Sequence, residues 1–289
     1  MARKKRSSRR KKSSKPFGDY LLIIVLLLVL TAIAAGIFFL LMNKEEVFAT
    51  NSADLCPERG ARATVAILLD TTDEISPATK RDIQNRSRNE LENLPRFYRL
   101  SMYTMSDEGL DPTPIITLCS PGQLDEMSDL AKKGITANRR MIKEKYDFFS
   151  QSINEATDQV FNKAFEGQQS PLLSALLELS LVLPQPISLQ ADLHPAGRNK
   201  IIYITDLMEH TDVFSSYRTG DDLKAFQDSR ATEKYGKKYT ENLEFWVIKR
   251  DINGLNTDSL KEFWGKILIR EFKFSRSQKL KFYTLLGET

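Results

Sequence analysis

The sequence predicts an α/β fold, a three-layer α/β/α sandwich built around a mostly parallel sheet. Short apolar runs that end in an acidic residue, such as residues 64–69 before Asp70, are typical of strands buried on both faces. Serine-proline pairs at Ser76 and Ser170 mark helix starts, since serine caps a helix well and proline fits its first turn. Strands that alternate with helices favour one sheet covered on both sides.

The predicted elements follow one another in a β-α-β-β-α-α-β-(α)-β-α order, and residues 272–286 fit either a strand or a helix. The short turn-rich connection at 106–113 predicts an antiparallel hairpin within an otherwise parallel sheet. The strands are expected at 64–69, 96–105, 114–118, 200–205 and 243–249, and the helices at 77–94, 124–165 with a break at Gly134, 172–183 and from Thr257.

The N-terminal region predicts one transmembrane helix ahead of this domain. Residues 20–42 form a run of 23 residues without a charge, about 35 Å long as a helix, which exceeds a hydrocarbon core of about 30 Å. Nine Lys or Arg precede it, and basic flanks stay in the cytoplasm. We therefore expect a cytoplasmic basic tail at 1–19, a transmembrane helix at 20–42, a stalk at 43–62 and an exported domain at 63–289.

A cleaved signal peptide is the alternative interpretation of that N-terminal region. The apolar run is longer than the usual 7–15 residues of a signal peptide, and no convincing cleavage site follows it. A single-pass protein of a bacterial inner membrane with a periplasmic domain is the favoured localisation.

The charge distribution gives no indication of nucleic-acid binding. The whole chain carries a formal net charge of +4 while residues 1–18 carry +9, so the remainder carries −5. The basic tail has no aromatic residues interleaved for base stacking, and attraction to anionic lipid explains it better.

The chain has two cysteines, Cys56 and Cys119, both in the part expected to be exported. An oxidising compartment favours a disulfide between them, and the alternative is two separate buried thiols.

Oxygen-bearing side chains are predicted to meet at one edge of the sheet. The residues from Asp70 to Glu74 follow the first strand, Asp206 follows a later strand, and Ser170 opens a helix. The carboxyl ends of neighbouring parallel strands share an edge, where ligands bind in such folds. Carboxylate and hydroxyl oxygens suit Mg²⁺, with Mn²⁺ or Ca²⁺ as alternatives.

This pattern resembles the von Willebrand factor type A (vWA) family, whose first strand ends in Asp-x-Ser-x-Ser. The resemblance implies a metal-ion-dependent adhesion site that leaves one metal position for a carboxylate of a protein partner. The metal ligands it implies are Asp70, Thr72, Glu74, Ser170 and Asp206. Glu74 stands where the family has a second hydroxyl, and Leu207 stands where glycine is common.

The function expected from this resemblance is protein binding in a membrane-associated complex, with no catalysis, nucleic acid or small-molecule substrate. One alternative is a phosphatase of the haloacid dehalogenase type, with Asp70 as nucleophile and an acidic pair at Asp221 and Asp222. Another is a scaffold domain that docks its partner without metal. In the simplest interpretation Ser170 only caps its helix, and a zinc site at His210 lacks a second nearby His or Cys.

Overall fold

The structure is a computed structural model that describes residues 17–42, 50–122, 139–161, 167–189, 195–229, 231, 242–250, 255–272 and 279–286. The chain divides into two compact units, residues 1–48 and 49–289, which are treated separately below. The basic tail before residue 17, the flank at 43–49, the predicted helix break at Gly134 and His194 lie outside the described residues.

The first unit contains one helix, α1 (Phe17–Met42), of 26 residues. Its described side chains, at positions 22–38, are all exposed. Within the described part of the chain, no helix meets the length and apolarity needed to cross a membrane.

The second unit is built on a seven-stranded sheet with the order β3-β2-β1-β5-β6-β7, in which β4 also pairs with β2. Strands β1, β2, β5, β6 and β7 are parallel, whereas β3 and β4 run antiparallel to β2. The α/β fold with a mostly parallel sheet and an antiparallel hairpin is thereby confirmed. The strands are β1 (Ala63–Asp70), β2 (Tyr98–Ser106), β3 (Gly109–Leu110), β4 (Ile116–Cys119), β5 (Lys200–Thr205), β6 (Asn242–Val247) and β7 (Leu280–Thr284).

Helices cover both faces of the sheet, and each face has its own apolar core. Strand β1 shows why, because Ala66 and Leu68 join one core while Ile67 and Leu69 join the other. Burying each of the Leu and Ile side chains contributes about 1.5–3 kcal/mol. The helices of this unit are α2 (Pro77–Glu92), α3 (Arg139–Phe161), α4 (Leu172–Val182), α5 (Ser216–Thr219), α6 (Leu223–Asp228) and α7 (Thr257–Arg270).

The ambiguous C-terminal segment at 272–286 contains a strand. Residues 280–284 form strand β7, since β6 offers a free parallel edge to pair with. Residues 216–219 form the single-turn helix α5. Trp246 and Trp264 are each 1% exposed.

A disulfide joins Cys56 to Cys119 and confirms the predicted pairing. It ties the segment before β1 to the end of β4, and the backbone N–H of Cys119 also donates to the carbonyl of Asp54 at 2.8 Å. Leu55 and Ala61 are buried nearby. The stalk predicted at 43–62 therefore includes residues that pack against the domain.

Candidate functional site at the sheet edge

Two buried aspartates lie where neighbouring parallel strands end. Asp70 is the last residue of β1 and Asp206 follows β5, and these strands pair in parallel register. Asp70 is 5% exposed and Asp206 is 4% exposed. A buried carboxylate needs hydrogen bonds or a counter-charge, so their surroundings define what this edge can do.

Asp70 is held by hydroxyl groups from three separate segments. Its Oδ1 accepts hydrogen bonds from the backbone N–H of Thr72 at 3.0 Å and from the Thr72 hydroxyl at 2.7 Å. Its Oδ2 accepts from the hydroxyl of Thr205 at 3.0 Å and from that of Ser170 at 3.5 Å. Sequence analysis did not predict a role for Thr205. Its position at the end of the neighbouring strand is the signal that would have identified it as a partner of Asp70.

Ser170 does not cap helix α4, which corrects the simplest interpretation of its role. Pro171 occupies the cap position and makes no side-chain cap bond. The Ser170 hydroxyl instead lies 3.2 Å from that of Thr72. Two backbone hydrogen bonds with His210, at 2.8 and 2.9 Å, hold the backbone of Ser170.

Glu209 stabilises the start of α4 in place of serine. Its Oε2 accepts a hydrogen bond from the backbone N–H of Leu173 at 2.9 Å. Burial raises the pKa of Glu209 to about 8, although hydrogen bonds from the helix backbone lower it. Sequence analysis does not predict this role for Glu209, because Leu173 lies 36 residues earlier in the chain.

Arg250 pairs with Asp206 and was missed by sequence reasoning. Its Nε lies 3.1 Å from Oδ2 of Asp206, its Nη1 lies 3.5 Å from Oδ1 of Asp73, and its Nη2 donates to the carbonyl of Glu74 at 3.0 Å. Oδ2 of Asp206 has no partner of good hydrogen-bond geometry, so the contact with Nε is ionic. Oδ1 of Asp206 accepts a hydrogen bond from the backbone N–H of Met208 at 2.9 Å.

The pKa values of Asp70 and Asp206 are both raised. Desolvation raises the pKa of Asp206, and the nearby charge of Asp70 raises it further, while Arg250 opposes both effects. Desolvation also raises the pKa of Asp70, against the lowering effect of the hydrogen bonds from Thr72 and Thr205. The positive charge of Arg250 therefore favours the ionised form of Asp206.

The structure brings four of the five predicted metal ligands together and leaves one out. Asp70, Thr72 and Ser170 are in direct contact, and Asp206 is near enough to be affected by the charge of Asp70. Glu74 is exposed and contributes its backbone carbonyl to Arg250.

Carboxylates and hydroxyls are the right kind of donor for a divalent metal. The hydroxyls of Thr72 and Ser170 are engaged with Asp70 and with each other, and a guanidinium lies against Asp206. Among the described residues, no group of three or more His, Cys, Asp or Glu could hold a metal ion. The predicted magnesium site stays a prediction.

A cavity of about 290 Å³ lies over this cluster. A Cβ at Gly167, in the wall of the cavity, would lie 3.0 Å from Cβ of Thr72, which is a tight contact. The cavity is lined by Thr72, Asp73, Gly167, Gln168, Gln169, Ser170, His210 and Tyr217.

The groups behind the zinc and phosphatase alternatives have structural roles. His210 Nδ1 lies 2.7 Å from the hydroxyl of Ser215, and its ring packs edge-on against Tyr217. Asp222 caps helix α6 by accepting from the backbone N–H groups of Lys224 and Ala225.

Leu207 adopts a positive φ of 67°, the left-handed conformation that favours glycine. The side chain is fully buried, and its carbonyl accepts a hydrogen bond from Nε1 of Trp264 at 2.8 Å. Core packing therefore holds the backbone in a conformation that leucine would otherwise avoid.

The strand order and the edge cluster together define an α/β domain with a mostly parallel sheet and polar side chains at its carboxyl edge. No protein-family model matches the sequence, and no curated protein matches it.

Among solved structures, a von Willebrand factor type A protein from Catenulispora acidiphila has 11% identity and a TM-score of 0.40 over 78% of this chain. The ArnB paralog VWA2 from Sulfolobus acidocaldarius has 13% identity and a TM-score of 0.36 over 78%. Proximal thread matrix protein 1 from the mussel byssus has 9% identity and a TM-score of 0.36 over 71%. The matches cover 39%, 41% and 41% of those chains, respectively, which is well under half of each.

Proposed function

We propose that this chain is a membrane-anchored vWA-like module that binds a protein partner at the carboxyl edge of its sheet. The observation that carries the proposal is the cavity above Asp70, Thr72 and Ser170, where loops from three parts of the chain converge. Ligands of open parallel sheets bind at this edge.

The size of the cavity favours one side chain of a partner over a free small molecule. At about 290 Å³ it lies at the lower limit of the 300–1,000 Å³ typical of small-molecule pockets. Its polar lining from Gln168, Gln169 and Tyr217 offers hydrogen bonds to such a side chain. The resemblance to the vWA family favours an acidic one.

The anchor is part of the proposal and is supported by the sequence. The uncharged run covers residues 20–42. The structure describes the side chains of α1 only at positions 22–38, which is a shorter segment. The basic tail favours a location of the domain outside the cytoplasm. The disulfide between Cys56 and Cys119 supports an oxidising compartment.

The phosphatase alternative receives less support from the same residues. Both carboxylate oxygens of Asp70 accept hydrogen bonds from neighbouring side chains. These hydrogen bonds make the oxygens less available for attack on phosphorus. Asp222 is occupied in capping α6. Turnover of a phosphate ester by the full-length protein, lost in Asp70→Asn, would favour the enzyme over the binding module.

Affinity capture after chemical cross-linking tests the docking site. Tagged full-length protein is recovered from membranes as wild type, Tyr217→Ala and Leu181→Ser. Tyr217 lines the cavity and is 40% exposed, whereas Leu181, at the far end of α4, is 84% exposed. We expect Tyr217→Ala to reduce recovery of the partner at least fivefold and Leu181→Ser to leave it unchanged. Equal recovery from all three would contradict docking at this edge.

A further inference from the structure

We propose that a basic side chain of the partner, a lysine or an arginine, occupies the cavity above Asp70. This inference rests on the proposed function and adds the charge of the group that docks. The resemblance to the vWA family favours an acidic side chain at this edge, whereas the charges of this site favour a basic one.

One wall of the cavity carries an accessible carboxylate. Among the described residues that line the cavity, Asp73 is an acid and none is a lysine or an arginine. The side chain of Asp73 is 41% exposed, and its Oδ1 lies 3.5 Å from Nη1 of Arg250. This contact is long and uses one carboxylate oxygen, so Oδ2 of Asp73 can accept a hydrogen bond from another cation.

Two further carboxylates lie next to the residues that line the cavity. Asp70 accepts hydrogen bonds from the hydroxyls of Thr72 and Ser170, and both of these residues line the cavity. Asp206 pairs with Arg250, which is also the arginine that contacts Asp73. Three aspartates therefore share the positive charge of one arginine.

The phenol of Tyr217, at the wall of the cavity, is sensitive to this balance of charge. Burial raises the pKa of Tyr217, and the charges of Asp206 and Asp73 raise it further, to about 12 in total. Arg250 lowers the pKa of Tyr217, but its effect is smaller than that of either aspartate. The electrostatic potential at the cavity is therefore negative, which attracts a cation.

The neutral groups of the lining also suit a cation. Tyr217 is 40% exposed, and its ring packs against that of His210 with 5.2 Å between the ring centroids. Aromatic faces attract lysine and arginine cations. Gln169 donates its amide N–H to Oδ1 of Asp212 at 3.3 Å, so its amide oxygen can accept a hydrogen bond from a docked cation.

Fluorine NMR of the full-length protein in lipid nanodiscs tests this inference with defined probes. Tyr217 is replaced by 3-fluorotyrosine, whose fluorine resonance shifts when a group enters the cavity. The basic probes are the N-acetyl amides of lysine and arginine, and the neutral probes are those of norleucine and citrulline. The N-acetyl amide of glutamate is the acidic probe, and all titrations contain EDTA.

The variants Asp73→Asn and Asp147→Asn are compared with the unsubstituted carboxylates. Asp147 is the matched control, because it is a carboxylate on α3 that is 56% exposed and pairs with Lys143 at 2.7 Å. Asp73 is likewise partly exposed and paired with a base, but it lines the cavity.

We expect the lysine and arginine probes to shift the resonance to saturation. The neutral and acidic probes should bind about fivefold more weakly or less, which is the effect of one partly exposed ion pair. Asp73→Asn should weaken binding of the basic probes by about fivefold, and Asp147→Asn should leave it unchanged. If Asp73→Asn is unfolded by circular dichroism, the comparison of basic, neutral and acidic probes still decides the sign of the charge.

Three results would overturn the inference: equal binding of basic and neutral probes, tighter binding of the glutamate probe, or no response to any probe. If one of these is found while Tyr217→Ala still lowers recovery of the partner, docking at this edge stands and only the charge of the docked group is wrong. If Tyr217→Ala leaves recovery of the partner unchanged, the proposed function itself fails.

Discussion

The hydroxyl groups of Thr72 and Ser170 lie 3.2 Å apart, although 98 residues separate them in the chain. Both also contact the carboxylate of Asp70, so three side chains form one hydrogen-bonded unit beneath the cavity. The loop after β1 and the segment before α4 are joined through this unit. Its integrity should matter for stability as well as for binding.

Replacing Thr72 with valine should destabilise the domain by about 1–3 kcal/mol, the cost of leaving a buried acceptor with one partner fewer. Oδ1 of Asp70 would keep only the backbone N–H of Thr72. Urea unfolding monitored by the fluorescence of buried Trp246 and Trp264 measures the change. The control Thr113→Val alters an exposed threonine and should change stability by less than about 0.5 kcal/mol.

Glu209 should make the domain less stable as the pH rises. Its pKa is about 8 in the fold against 4.5 for an ordinary glutamate, so between these values the folded state binds more protons than the unfolded state. The contribution of Glu209 to the free energy of unfolding is fully present below pH 4.5. It decreases as the pH rises through 8, by on the order of 4 kcal/mol in total.

The variant Glu209→Gln should remove that dependence, since its amide oxygen can still accept from Leu173 but does not titrate. Unfolding free energies of wild type and variant at pH 5, 7 and about 9 test this. If the difference in unfolding free energy between wild type and variant stays constant with pH, the raised pKa of Glu209 is contradicted. If the variant becomes more stable relative to wild type at high pH, the raised pKa is supported.

Removing the disulfide should cost about 4 kcal/mol, the chain-entropy value for a loop of this length. Cys56 and Cys119 are 63 residues apart. Urea unfolding of the double variant Cys56→Ser, Cys119→Ser should show this loss relative to oxidised wild type. Wild type treated with a reductant should match the variant, and an unchanged unfolding midpoint would contradict the structural role of the bond.

A methyl group at Gly167 should narrow the cavity and weaken partner capture. Its Cβ would lie 3.0 Å from Cβ of Thr72, closer than side chains normally approach. Gly265→Ala is the matched control in helix α7, where the added Cβ meets nothing closer than 4.0 Å. It should raise stability by up to about 1 kcal/mol and leave capture unchanged.

Deleting residues 20–42 should release the domain from membranes. Alkaline carbonate extraction of wild type should leave the full chain in the membrane pellet, because a run of about 20 apolar residues is held by the hydrocarbon core. The deletion variant should appear in the supernatant. Release of wild type by carbonate would contradict the anchor.

The sequence predicted the elements whose signals are local. The apolar run of β1 ending in Asp70, the serine cap of α2 at Ser76 and the hairpin of β2 and β4 are all encoded within a few residues. Each follows from periodicity or capping that neighbouring residues decide.

The parts of the site that were missed depend on long-range contacts. Arg250 lies outside any periodic pattern, and its partners Asp206 and Asp73 come from other strands' loops. Ser170 has the local signature of a helix cap, but its backbone pairing with His210 overrides that preference. Glu209 then stabilises the helix start from a different loop.

Site-specific photo-cross-linking tests the central claim most directly. A photoreactive residue replaces the exposed Gln168 at the cavity or the exposed Leu181 at the far end of α4, in full-length protein in its membrane. We predict a discrete protein adduct from position 168 that Tyr217→Ala diminishes, and none from position 181. No adduct from position 168, or the same adduct from both positions, would contradict docking at the carboxyl edge of the sheet.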